Sequence, residues 1–147
     1  MKRTAVVACW LWGMVGCGAR PQLILPDIHV AGGGSVGAVL AAHPLAASDT
    51  ISALPLGGTD SLSFHLIQIR DRERPHLHAT HDLVVTLLRG QGHLYIRGRA
   101  HAMRAGDVGV VPRETAHYFV NSGCTPAAAF VTFTPPYDGK DQVPVNE

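Results

Sequence analysis

The chain has 147 residues, 46% hydrophobic and 16% charged, which is the size and composition of one globular domain with a single core and excludes a multidomain machine. Twelve Lys and Arg against 11 Asp and Glu give a net charge of +1 with histidine neutral, so the chain has neither the basic field of a nucleic-acid binder nor an acidic tail. Its 16 Gly and 10 Pro favour short strands and tight turns over a helical bundle, and its nine histidines call for a site.

The first twenty residues read as an address. Lys2 and Arg3 precede an apolar run from Ala5 to Val15 that is too short to span a bilayer, and Gly16-Cys17 follows. Met14-Val15-Gly16-Cys17 resembles a bacterial lipobox, with Met14 where leucine is usual. The expectation is a lipoprotein-type signal peptide over residues 1–16, lipid on Cys17, and a domain held at the cell envelope, facing the periplasm or the outside, by that N-terminal lipid. An ordinary secretory signal also places the chain outside the cytosol, and a buried N-terminal strand is the third reading. Cys9 leaves with the signal and Cys17 is acylated, so Cys124 remains alone and no intrachain disulfide forms; it reads as a small buried residue. Residues 17–34, with Pro21, Pro26 and Gly32-Gly33-Gly34, have the composition of a tether.

Residues 35–147 then form one domain, with its core over residues 61–134. The Ala-rich stretch from Ser35 to Leu56 predicts one or two short helical turns, with Ser48-Asp49 as a cap and His43 as a surface or packing residue. From Ser61 the pattern has period two, with Leu62, Phe64 and Leu66 on one face and His65, Ile67 and Ile69 on the other. Strand-like runs follow at Leu83–Leu88, His93–Arg97, His101–Arg104, Val108–Val111, His117–Val120 and Ala128–Phe133, separated by Gly, Pro or Asn. That spacing predicts an all-β antiparallel sandwich or small barrel behind a short helical or irregular N-terminal segment.

Histidines crowd the segment Pro75-His76-Leu77-His78-Ala79-Thr80-His81-Asp82. On a strand His76 and His78 share a face, so their imidazoles can converge on one ion. About forty residues later comes Gly106-Asp107-Val108-Gly109-Val110-Val111-Pro112-Arg113-Glu114-Thr115-Ala116-His117-Tyr118-Phe119-Val120-Asn121. Together the two segments resemble the paired motifs of the cupin superfamily. The second motif matches at Gly106, Pro112, His117 and Asn121 with the family's spacing, and the first at His76, His78 and Gly90. The resemblance spans roughly Ser61 to Thr134. It implies a jelly-roll β-barrel with a divalent transition metal (Fe, Mn, Ni, Zn or Cu) held by the two-histidine motif and His117, and it suggests a homodimer built through C-terminal arms.

Two departures from the family pattern leave questions open. Three residues forward from His78 lands on Asp82, while six residues back from Gly90 lands on Leu83, where the family carries a ligating glutamate. The site is therefore either His76, His78, Asp82 and His117, or three histidines with more open positions. Glu114 replaces a glycine, which puts the shape of that turn in question. The plainer reading of His76, His78 and His117 is a barrel that merely packs them. His81 reads as a supporting or loop residue, His65 as a core or surface residue beside the cavity, and His93 and His101 as solvated hairpin residues. The charge run Arg70, Asp71, Arg72, Glu73, Arg74 reads as a solvated loop, from which an arginine could meet an anionic substrate. Two functions compete: a small-molecule oxygenase or isomerase using the metal, and a module that binds a small molecule or metal without turnover. No general base is evident.

Overall fold

The computed structural model describes residues 22–24 and 34–146; the expected signal peptide, Cys17 and most of the tether lie outside them. In chain order the elements are β1 (Gln22–Leu23), β2 (Gly34–Ser35), α1 (Val36–Ala42), β3 (Ile51–Gly58), β4 (Ser63–Ile69), β5 (His76–His78), β6 (Asp82–Arg89), β7 (Gln91–Ile96), β8 (Arg99–Arg104), β9 (Val108–Val111), β10 (His117–Asn121), β11 (Ala127–Thr134) and β12 (Gln142–Pro144). The period-two runs pair as two five-stranded antiparallel sheets, in the orders β12-β5-β10-β7-β8 and β3-β4-β11-β6-β9. Their inner faces meet in a core that includes Leu83 and Leu87 of β6, Leu94 of β7, Met103 of β8, Phe119 of β10 and Val131 of β11. This is the expected jelly-roll.

Strand β4 is covered on both sides. Ile67 and Ile69 face the space between the sheets, whereas Phe64 and Leu66 pack outward beneath α1 against Val36, Val39 and Leu40. Gln68 shares that outer face and donates from Nε2 to the His43 carbonyl at 2.7 Å. Ser35 caps α1 by accepting from the Ala38 amide at 3.1 Å, and the helix stops before His43, whose helical conformation Pro44 disfavours.

The Ala-rich segment holds the short helix expected of it, about two turns, but its second half is a strand. Only residues 36–42 are helical; Ser48-Asp49 sits in a turn, and residues 51–58 form β3, paired with β4 from Ile51↔Ile69 to Gly58↔Ser63. Pro55 lacks an N–H and hides this strand in the sequence, but β3 is an edge strand and needs no second ladder. The register shifts between Pro55 and Gly57, where Gly57 takes φ +115°. The sheet core therefore begins at Ile51, ahead of residue 61.

After β11 the chain crosses over its own barrel, and β12 adds to the far side of β5 with Gln142 opposite His78. Asn121 closes β10 as expected: its Nδ2 donates to the carbonyls of Arg70 and Thr125 at 2.9 and 2.8 Å, and its Oδ1 accepts from the Gly123 amide. Cys124, expected to be buried, is exposed, because it lies in the turn after β10.

Candidate metal centre

Strand periodicity brings the histidines together. His76 and His78 occupy alternate positions of β5 and face inward, and His117 of β10 is the direct cross-strand partner of His76. One ligand-type atom from each of the three lies within 4.8 Å of the others, and all three side chains are buried. Ring centroids are 4.4 Å apart for His76 and His117, 5.1 Å for His76 and His78, and 5.5 Å for His78 and His117.

Backbone carbonyls fix two of the rings. His76 Nδ1–H donates to the Arg74 carbonyl at 2.8 Å and His117 Nδ1–H to the Thr115 carbonyl at 2.9 Å. Each bond holds the proton on Nδ1 and leaves the Nε2 lone pair free, the tautomer a metal-ligating histidine requires. His78 Nδ1 is buried without a hydrogen-bond partner, 4.0 Å from Asp141 Oδ2. A buried nitrogen in that state wants an ion or a water. Burial pushes the His78 and His117 pKa values down to about 4, helped by the neighbouring imidazoles. Both rings are then neutral at physiological pH and available as donors. The three imidazoles fit a borderline divalent ion such as zinc or ferrous iron.

Asp82 does not join them. Leu83, Val85 and Leu87 of β6 line the cavity, so Asp82, one residue out of phase, points outward. Its Oδ1 accepts from the Arg113 amide at 2.8 Å and its Oδ2 from Arg113 Nη2 at 2.6 Å, and this arginine holds the carboxyl down at about 2. Of the two registers read from the sequence, the structure takes the one with Leu83 inward, and the proposed ligand set shrinks to three histidines.

Glu114 keeps the turn that a glycine would make. It adopts φ +59°, and its amide donates to the His78 carbonyl at 2.7 Å, tying the β9–β10 turn to the site. A left-handed L-residue costs roughly 1–2 kcal/mol, and the extra chain entropy of glycine offsets about half of that. Glu114→Gly is therefore expected to stabilise the domain by about 0.5–1 kcal/mol, read as a raised midpoint of urea unfolding.

Around the triad the remaining residues have structural or supporting places. His81 lies in the β5–β6 turn, where Asp141 accepts from its Nδ1 and the Pro136 carbonyl faces its Nε2 at 3.2 Å. Asp141 also accepts from the amides of Ala79 and Thr80, both at 3.0 Å, so it clamps the C-terminal arm onto that turn. Ligand atoms of His78, His81 and Asp141 also lie within 4.8 Å of one another, but both carboxylate oxygens already accept N–H bonds. His65 is buried, hydrogen-bonded to Ser63 Oγ at 3.0 Å and packed edge-on against Phe133. His93 is half-buried and His101 exposed on the β7–β8 hairpin.

Glu73 is the residue the sequence did not announce. It lies in the charge run expected to be solvated, yet it lines the cavity with the three histidines, and its Oε2 accepts from the Phe119 amide at 2.8 Å. Burial pushes its pKa up, and the nearby His76 pulls it partly back. Pro75 breaks the strand between Glu73 and His76, so side-chain parity gave no signal. The arginines of the run turn away. Arg70 donates to the carbonyls of Ala46 and Asp49, and Arg72 lies over the Tyr118 ring.

The acid response of the metal-free protein follows from the buried imidazoles. Unfolded histidines titrate near 6.5 and these two near 4, so between those values the unfolded chain binds protons that the fold refuses. Their stabilising contribution is complete above about pH 6.5 and is lost as the pH falls towards 4. The lowered carboxyls of Asp82 and Asp141 act in a separate, more acid window, below their usual 3.8. Urea midpoints of the metal-free protein at pH 7, 5.5 and 4.5 are expected to decrease in that order; a flat profile would contradict the burial of neutral rings.

Comparison with known proteins agrees with this fold. The Cupin domain family matches residues 64–133. An uncharacterized protein of Aquifex aeolicus (strain VF5) is 36% identical over 97 residues, which cover 66% of this chain and 79% of that one. Among solved structures, KdgF from Halomonas sp. superposes with a TM-score of 0.59 at 22% identity, covering 64% of this chain and 86% of its own. A Streptomyces nucleoside dehydratase gives a TM-score of 0.57 at 20% identity, covering 66% and 79%. A sugar phosphate isomerase from Silicibacter pomeroyi DSS-3 gives 0.53 at 28% identity, covering 58% of this chain and 60% of that one. Residues 64–133 thus match the cupin domain family, and the buried histidine triad, with the geometry of a metal site, lies within that match.

Proposed function

We propose that this cupin is a metal-dependent enzyme acting on a small molecule inside its barrel, in the class of small oxygenases and isomerases. The observation that carries the reading is the triad itself: three buried imidazoles, two of them tautomerically fixed, opening onto a cavity of about 250 Å³. His76, His78 and His117 would hold the ion, and a bound divalent metal with open positions supplies Lewis-acid or oxygen chemistry. Glu73 is the carboxyl that meets a substrate from the cavity wall, and its raised pKa lets it hold a proton nearer neutrality than a solvated glutamate does. Phe119, through its backbone amide, orients that carboxyl. Enzymatic neighbours, among them the isomerase and the dehydratase, support catalysis over simple binding.

The test is turnover by the full chain loaded in turn with Fe(II), Mn(II), Ni(II) and Zn(II), offered small ketones, enols and phenols, with oxygen consumption and product both followed. Turnover by one metal form, lost on chelation and restored by that metal, is the expected result. Saturable ligand binding without turnover in any metal form would overturn it in favour of a binding module.

The proposal also places the domain at the cell envelope, supported by the basic, apolar and lipobox-like succession from Lys2 to Cys17. Metabolic labelling of a bacterial host with radioactive palmitate is expected to mark the wild type and not Cys17→Ser; equal labelling would contradict it.

A further inference from the structure

The chemistry of the cavity wall narrows what the site can take. Beyond the histidines and Glu73, the space is walled mainly by hydrocarbon, with Ile69, Leu87, Leu94, Met103, Val131 and Phe133 converging from both sheets. Among the described residues, no lysine or arginine reaches it. Among the described residues, the acid–base groups it presents besides the imidazoles are Glu73 and Tyr137. A phosphate inside could set one oxygen on an ion held by the triad, but with no lysine or arginine in the wall its other charged oxygens would stay buried and unpaired, facing a carboxyl that can itself be negative. A sugar or nucleoside fares little better, because most of its hydroxyls would lose water and meet only aliphatic carbon. An apolar group gains from the same wall.

Size adds a limit. A dry cavity of about 150 Å³ holds one benzene ring. The present cavity, at about 250 Å³, holds a ring with a short substituent or a compact branched chain. Its lining residues Ile51, Ala53 and Gln142 are exposed, so it communicates with solvent beside β3 and β12.

We infer that the ligand of this barrel is a mostly hydrocarbon molecule of about one ring, without a phosphate, carrying a single oxygen function that faces His76, His78 and His117. Sugar phosphates and nucleosides, the chemistry named for two of the structural neighbours, are excluded by this wall. The direction of the oxygen rests on the proposed metal centre; the apolar character and the exclusion of phosphate rest on the lining.

The experiment uses fluorine NMR on the full chain with 4-fluorophenol and with 4-fluorophenyl phosphate, before and after chelation and zinc reloading. Saturable binding of the phenol is expected, with the phosphate ester at least about 30-fold weaker. Ala129→Leu, which fills part of the cavity without adding polarity, is expected to weaken phenol binding at least about tenfold; if that variant does not fold, the selectivity of the wild type decides. Binding of the phosphate ester as tight as that of the phenol would overturn the inference, as would no phenol binding by a protein that holds zinc. If the protein holds no zinc yet still prefers the phenol, the inference stands and only the metal centre falls.

Discussion

Zinc added to the metal-free protein is expected to raise its melting temperature, and His117→Ala is expected to abolish that rise. An ion that binds only the folded chain, present at a thousand times its dissociation constant, stabilises by about 4 kcal/mol, which for a domain of about 100 residues is a rise of roughly 15 °C or more. His117 is central because it bridges the motifs: it stands opposite His76 across the β5–β10 pair, with its Nδ1–H fixed on the Thr115 carbonyl. Changing even a partner of a ligand costs about 10–100-fold in metal affinity, and removing a ligand should cost more. Melting curves with and without zinc separate this loss from any loss of folding. A full zinc-dependent rise in His117→Ala would show that the ion sits elsewhere.

Gly92→Ala is expected to be the most damaging single methyl in the barrel. A Cβ at this position would lie 2.2 Å from the Val120 carbonyl oxygen and 2.4 Å from Phe119 Cζ. The carbonyl belongs to the neighbouring strand β10, which pairs Gly92 with Asn121 and cannot withdraw without breaking the ladder that also carries His117. Overpacking of this kind costs about 1–3 kcal/mol, out of a total stability of about 5–15 kcal/mol. Phe119 also holds Glu73 through its amide, so the displacement reaches the cavity. Gly109→Ala is the contrast: its nearest neighbour is Leu94 Cδ2 at 2.7 Å, the end of a side chain that can rotate away. Urea midpoints of the two variants are expected to differ clearly, with Gly92→Ala the lower; equal midpoints would contradict the close packing of β7 on β10.

The sequence made the site legible where one rule of parity or spacing was enough. His76 and His78 share a face because side chains alternate along β5, and His117 was found by its fixed distance from Gly106, Pro112 and Asn121. Parity also decides against Asp82, but only once β6 is known to begin at Asp82 itself, with Leu83 facing in. Reading Asp82 as a ligand required it to face inward, but the register irregularity of β6 lies at its other end, opposite Ala128 and Ala129, and leaves Leu83 facing in. Glu73 was illegible because the irregular link through Pro75 reorients the chain, and only the amide of a strand 46 residues away explains where its carboxyl goes. Strand β3 was masked by Pro55 and by alanines that suit a helix, and tertiary pairing with β4 overrode that propensity. Glu114 shows the reverse: the turn, pinned to the His78 carbonyl, imposes a left-handed conformation on a residue that resists it.

In the proposed metal centre the ligands are three histidines and no carboxylate. Elemental analysis of the full chain after zinc loading and dialysis tests it most directly, with wild type, His76→Ala and Asp82→Ala compared at equal protein concentration. Close to one zinc per chain is expected in the wild type and in Asp82→Ala, and almost none in His76→Ala. A wild type that stays empty, or an Asp82→Ala variant that loses its zinc along with His76→Ala, would contradict it.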